Sequence, residues 1–430
     1  MRDREHWDSA QPRDFLAGGI RRKARCTGHS GSAEVSGNSK VWVSDLNSRP
    51  EIRSPFSGKR VQFYDTTLRD GEQTVGVVLS PQQKVEIALK LDELGVSRIE
   101  AGFPRVSADD AEAIQLMQKA NLKAELWGFS RAVKADVDEL VRLGLQASTI
   151  EAPTSEIKLK AYGISQDEVL KRIESAISTA RAAGISVAFF AVDGSRTHLE
   201  FLKKIYLAAL NAGAVEIVVV DTIGACSPEA AEVLVREVCS WVGPNIPVHF
   251  HGHNDFGMAT ACAVAAVKAG ASWIQGTING MGERAGNADI GEIALALSCL
   301  YGVEVDLDLK KIRDVSAVVS RAAGYKLEAW KPLVGENLFM RESGAVASQF
   351  HIPEAIEPYS SDIVNANRQI VLGKKSGIGS IDLKLRELGL QISPDRRASV
   401  LEAVKQVGIS KRGLVSDEEF RRIVNERTRE

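Results

Sequence analysis

Three observations predict a closed (β/α)8 TIM barrel with an appended, mainly helical C-terminal subdomain. Eight short segments rich in β-branched and aromatic residues recur at 61–65, 98–101, 123–127, 147–151, 186–191, 216–220, 247–251 and 272–276. Amphipathic stretches at 81–94, 107–120, 166–183, 196–212, 228–242 and 257–269 alternate with them, and several stop at a glycine: Gly95, Gly184, Gly213 and Gly270. Dense polar clusters stand at strand ends, where such barrels carry their chemistry. A doubly wound open sheet is the weaker arrangement of the same alternation.

Taken in order, residues 1–59 are rich in Ser, Gly, Arg and Asp and keep no apolar period, which predicts a flexible, mildly basic extension. Its cluster Arg21-Arg22-Lys23-Ala24-Arg25 reads as a solvated tail rather than an anion-binding arm, and the interspersed Asp and Glu argue against a transit peptide. The barrel is expected over residues 60–302, closing with an eighth helix at 283–300. From 303 to 430 the chain reads as helical and loop-rich, with final helices at 382–388 and 396–426 and without a regulatory domain.

Composition narrows the partners. With 430 residues, 44% hydrophobic content and a formal net charge of -2, the chain can bury a large core and has no broad charge that would draw it to nucleic acid or an anionic membrane. There is no apolar run long enough to span a bilayer and no secretory core at the N-terminus, so a cytoplasmic location is expected. Cys26, Cys226, Cys239, Cys262 and Cys299 form no CxxC pair and are read as buried thiols.

The first segment, Val61-Gln62-Phe63-Tyr64-Asp65, runs into Thr66-Thr67-Leu68-Arg69-Asp70-Gly71-Glu72-Gln73. Charges clustered at a barrel mouth need a metal or a ligand as partner. Three of the seven histidines, His249, His251 and His253, fall within five positions of the seventh segment and share one side if the strand continues. His251 and His253 with Asp70 would give an N,N,O set with open positions for a divalent metal, His249 being the weaker candidate; hydrogen-bonded structural histidines are the alternative. The third cluster, Asn279-Gly280-Met281-Gly282-Glu283-Arg284-Ala285-Gly286-Asn287, departs from the GxGxxG dinucleotide spacing. It reads either as a Gly-rich turn, with Gly282 and Gly286 presenting backbone N–H groups to an anionic cofactor, or as an ordinary helix start.

Together these three motifs, with His251-Gly252-His253-Asn254-Asp255-Phe256-Gly257 as the second and Leu372-Gly373-Lys374-Lys375-Ser376-Gly377 further on, resemble the DRE-TIM metallolyase family, in its homocitrate synthase and 2-isopropylmalate synthase branch. The resemblance implies a divalent metal (Mg, Mn or Zn) on Asp70, His251 and His253, with Asn287 a weaker ligand. It also implies that Arg69 stabilises enolate and alkoxide charge, that Gln73 lies near the substrate, and that Thr222 binds the substrate carboxylate. The implied reaction is an aldol-Claisen condensation of acetyl-CoA with a 2-oxo acid, in a homodimer of the kind used in amino-acid biosynthesis.

Three departures stand out. Ser343-Gly344-Ala345-Val346 carries valine where the synthases have a histidine linked with proton abstraction, leaving His351 and Tyr359 as substitute candidates. Val192 replaces a glutamate before Asp193, and Glu151 stands where an uncharged group is usual, either to orient a cationic or hydroxyl-bearing substrate from the barrel mouth or as a surface loop carboxylate. The leading expectation is a homocitrate synthase-like enzyme, with 2-isopropylmalate or citramalate synthase as the alternative. A metal-dependent retro-Claisen lyase and a non-catalytic binder of 2-oxo acids are further readings.

Overall fold

The computed structural model describes residues 40–429. The basic cluster at 21–25 and Cys26 lie outside the described residues. Eight strands, β1 (Arg60–Asp65), β2 (Arg98–Glu100), β3 (Glu125–Arg131), β4 (Ala147–Pro153), β5 (Ser186–Val192), β6 (Glu216–Asp221), β7 (Val248–Gly252) and β8 (Trp273–Gly276), lie side by side in chain order. All pair in parallel, and β8 returns to β1 in the register Gln62↔Trp273 through Asp65↔Gly276, closing the barrel.

Burial on both faces explains the apolar strands. In β6, Val218 and Val220 face the lumen, while Ile217 and Val219 pack under the surrounding helices. The helices Pro81–Leu94 and Pro228–Val242 occupy the residues expected. The first begins on a Ser80 capping box with Gln83 and ends at Gly95, whose φ of 97° and approach to Asp306 O leave no room for a side chain. Helices at Lys134–Arg142 and Glu156–Tyr162, which the sequence reading did not single out, complete the connections on either side of β4.

Three expectations are corrected. The eighth helix starts at Ile290, not at 283, because Asp289 caps it through the N–H groups of Gly291 and Glu292 while the preceding residues fold as a loop. The single helix expected at 396–426 is two, Arg397–Lys411 and Asp417–Arg429, parted where Arg412 turns left-handed (φ 52°) and Val415 donates its N–H to Leu372 O. Residues 40–59 are also structured: Pro50–Arg53 forms one helical turn and Phe56 is buried in the barrel's outer core. That core extends through Val364, and a separate one around Ile381, Val400, Val404 and Phe420 marks the appended helices.

The lumen is closed at its N-terminal end. The Arg98 guanidinium lies between the rings of Trp127 and Trp273, at 4.2 and 3.7 Å, and forks onto Glu216 at 2.6 and 3.0 Å. His249 bonds the same carboxylate at 2.8 Å and stacks on Trp273, so it belongs to this floor and not to the metal set. Among the described residues, no helix is long and apolar enough to cross a membrane.

Candidate active site

Directly after β1 the chain turns tightly around Thr66 O, which accepts N–H bonds from Arg69, Asp70 and Gly71. Asp65 fixes the turn by accepting from Thr67 N–H at 2.8 Å and from its hydroxyl at 2.9 Å. The turn carries Arg69 and Asp70 inward, where both are buried. From β7 comes His251, and His253 follows on a bridge to Asn287.

Asp70, His251 and His253 place their ligand atoms within 4.8 Å of one another. The two Nε2 atoms are 3.4 Å apart and lie 3.3 and 3.8 Å from Asp70 Oδ2. Asn287 donates to Asp70 Oδ1 at 3.0 Å and to Met281 O at 2.9 Å, which leaves its own buried Oδ1 without a partner among the described residues. Two imidazoles and a carboxylate converging this closely in a buried site suit a cation. Burial alone would push the Asp70 carboxyl up, but Arg69 and the two histidines hold it far below the usual carboxylate range. Burial pushes His253 down to about 4, so its ring is neutral and able to ligate.

Arg69 is held in three ways. Its Nε donates to Glu100, its Nη1 donates to Asp70 at 2.8 Å, and its guanidinium lies 4.0 Å above the Phe129 ring. Its Nη2 is buried and has no partner among the described residues. Glu100, Phe129 and Phe190, whose ring lies 5.1 Å from that of His251, escaped the sequence reading. A carboxylate closing a lumen-facing strand beside a barrel-mouth arginine was the available signal. Glu72 also acts from behind: it accepts from Leu79 N–H at 2.8 Å and pairs with Lys84, which also reaches Asp110, both at 2.5 Å.

The remaining candidates divide. Thr222 is at the mouth, its Oγ1 accepting the Asp193 N–H at 2.7 Å with its own proton available to a ligand. Gln73 is exposed and lines the same cavity as Arg69, and Glu151 faces the lumen from β4. The N–H groups of Gly282 and Gly286 donate within the protein, to Thr74 Oγ1 and Glu283 O, so neither is free to hold an anion. What these glycines permit is a close fold: a Cβ at Gly282 would stand 2.2 Å from Asn287 Nδ2. His351 is exposed, next in the chain to Phe350, which packs against the C-terminal core. Tyr359 is buried against Phe339, which pushes its hydroxyl up to about 12. Within one chain the structure brings neither to the Arg69 and Asp70 cluster.

The HMGL-like family profile matches residues 60–319. The chain is 40% identical over 378 residues to homocitrate synthase AksA of Methanopyrus kandleri, covering 87% of this chain and 94% of that protein. Over 375 residues it is 40% identical to the 2-isopropylmalate synthase of Methanocaldococcus jannaschii, covering 85% and 71%. Against (R)-citramalate synthase CimA of the same organism it is 39% identical over 371 residues, covering 86% and 75%.

Proposed function

The chain belongs to the HMGL-like, or DRE-TIM metallolyase, family, and from that membership we propose that it condenses acetyl-CoA with a 2-oxo acid and releases CoA. Relatives named as synthases of three different products, homocitrate, 2-isopropylmalate and citramalate, match at 39–40% identity. That near-equality removes the order of preference that put a homocitrate synthase first, and the substrate has to be argued from the site.

The observation that carries the proposal is the unpartnered, buried Arg69 Nη2 beside the Asp70, His251 and His253 trio. A divalent ion bound there, with Asn287 as a further oxygen ligand, would supply Lewis-acid polarisation of a carbonyl. Arg69, fixed by Glu100 and Asp70, has one N–H direction left for an oxygen that gains charge as the keto carbon is attacked. Thr222 can donate to the substrate carboxylate, and the Phe129 and Phe190 rings keep water from the reacting face. A base takes a methyl proton from acetyl-CoA, the resulting carbon bonds to the keto carbon as its oxygen takes up a proton, and water cleaves the thioester to leave a carboxylate and free CoA.

A thiol-release assay with acetyl-CoA, Mn²⁺ and each of pyruvate, 2-oxoisovalerate, 2-oxoglutarate and oxaloacetate tests this. Release with at least one acid, lost in His251→Ala together with bound metal, is expected. A flat response across the panel overturns the proposal.

A further inference from the structure

Above the trio, three strands present Arg131, Glu151 and Phe190 as register neighbours on β3, β4 and β5. Because side chains alternate along a strand, Glu151 faces the lumen like Thr149, whose Oγ1 meets Tyr64 OH at 3.1 Å in the barrel interior. Phe190 links this level to the trio through its contact with His251. A cavity of about 370 Å³ opens here, lined by Arg131, Glu151, Pro153, Tyr162, Arg172 and Val192. It has the volume to take the side chain of a small substrate.

The charges around this cavity do not cancel. Arg131 is occupied by Asp136, through bonds of 2.8 and 3.0 Å, and Arg172 by Glu168 at 2.8 Å. Arg69 spends Nε on Glu100 and Nη1 on Asp70, and its remaining Nη2 makes no bond to Glu151. Glu151 alone forms no hydrogen bond or ion pair among the described residues. Burial pushes its carboxyl up to about 7 against the pull of Arg69 and Arg131.

We infer that Glu151 selects a 2-oxo monocarboxylic acid whose side chain carries a hydroxyl donor, and discriminates against 2-oxo dicarboxylates. This rests on the condensation proposed above and names its substrate class. A hydroxyl entering the cavity gives Glu151 the donor it lacks, whereas an alkyl group leaves the carboxyl unsatisfied. A second carboxylate brings a like charge to Glu151 and offers it no donor. Val192, next to it on the lumen side of β5, supplies no competing polar group.

The test compares 4-hydroxy-2-oxobutyrate, its methyl-for-hydroxyl isostere 2-oxovalerate, and 2-oxoglutarate as partners of acetyl-CoA with the full metal-loaded chain. A kcat/KM for the hydroxy acid about tenfold above both others is expected. Glu151→Leu should abolish the preference over 2-oxovalerate, and Glu151→Gln should keep it while admitting 2-oxoglutarate. Calorimetric affinities for the three acids without acetyl-CoA should follow the same order. A native chain that prefers 2-oxoglutarate, or a Glu151→Leu variant with native ratios, overturns the inference; should that variant not fold, the Glu151→Gln ratios decide. Release of CoA with 2-oxovalerate but unaltered ratios defeats this inference alone, whereas no release with any 2-oxo acid defeats the condensation proposal as well.

Discussion

At the scale of single residues, Arg69 does what a lysine could not. Its planar fork holds Glu100 and Asp70 and still has a free N–H, while an ammonium is a point charge without that geometry. Arg69→Lys is expected to lower kcat for CoA release by about 100-fold to 1000-fold while metal content by elemental analysis stays near native. Asp65 gives a pH dependence of stability. Burial raises its carboxyl from the ordinary 3.8 to about 7, despite two bonds from Thr67 that favour ionisation. The folded chain therefore keeps a proton that the unfolded chain releases between those values, so this residue costs stability as pH rises through the window. Relative to the native chain, Asp65→Asn should gain about 2–4 kcal/mol between pH 4 and pH 8, read from urea midpoints. Asp70, His251 and His253 were legible in the sequence because their spacing on strand ends is itself a chelating pattern. Glu100 was not, because its function exists only once β2 lies beside the β1 turn.

At the scale of elements, the turn after β1 depends on a buried ion network. Lys84 is 2% exposed and bonds Leu68 O as well as Glu72 and Asp110, so one ammonium ties the turn to two helices. Lys84→Met leaves two carboxylates without their cation and should cost about 3–5 kcal/mol of unfolding free energy. KM for the 2-oxo acid should rise in the same variant as Arg69 loses its support, measured by steady-state CoA release. Strand positions were readable to within a few residues, since a parallel barrel strand is apolar on both faces and short. The start of the eighth helix was not, because Glu283 and Arg284 look helical until the chain is seen to fold back, with Asn254 N–H donating to Gly286 O. The missing break at Arg412 has a similar origin: a non-glycine residue in the left-handed region leaves no mark in composition.

At the scale of the whole molecule, the sequence announced the barrel but not where its two cores divide. The end of the strand and helix alternation suggested a boundary at 302, yet the helix Ile312–Ala323 packs against Pro81–Leu94 as part of the barrel's own outer layer. The lumen floor was equally unreadable, because Arg98, Glu216 and His249 sit on three strands far apart in the chain and only closure brings them together. That floor has a consequence for the order of events. With Arg98 wedged between two tryptophans, the barrel is a cup and not a tube, and both reactants must pass the same rim. In the proposed reaction the small 2-oxo acid sits on the buried Asp70, His251 and His253 trio, so it has to enter before the bulky thioester covers it. The steady-state rate law should therefore be sequential and ordered. An inert acetyl-CoA analogue should inhibit uncompetitively against the 2-oxo acid, and a non-reacting analogue of the acid should be competitive with it and noncompetitive against acetyl-CoA; a random-order pattern would mean that the cup has a second way in.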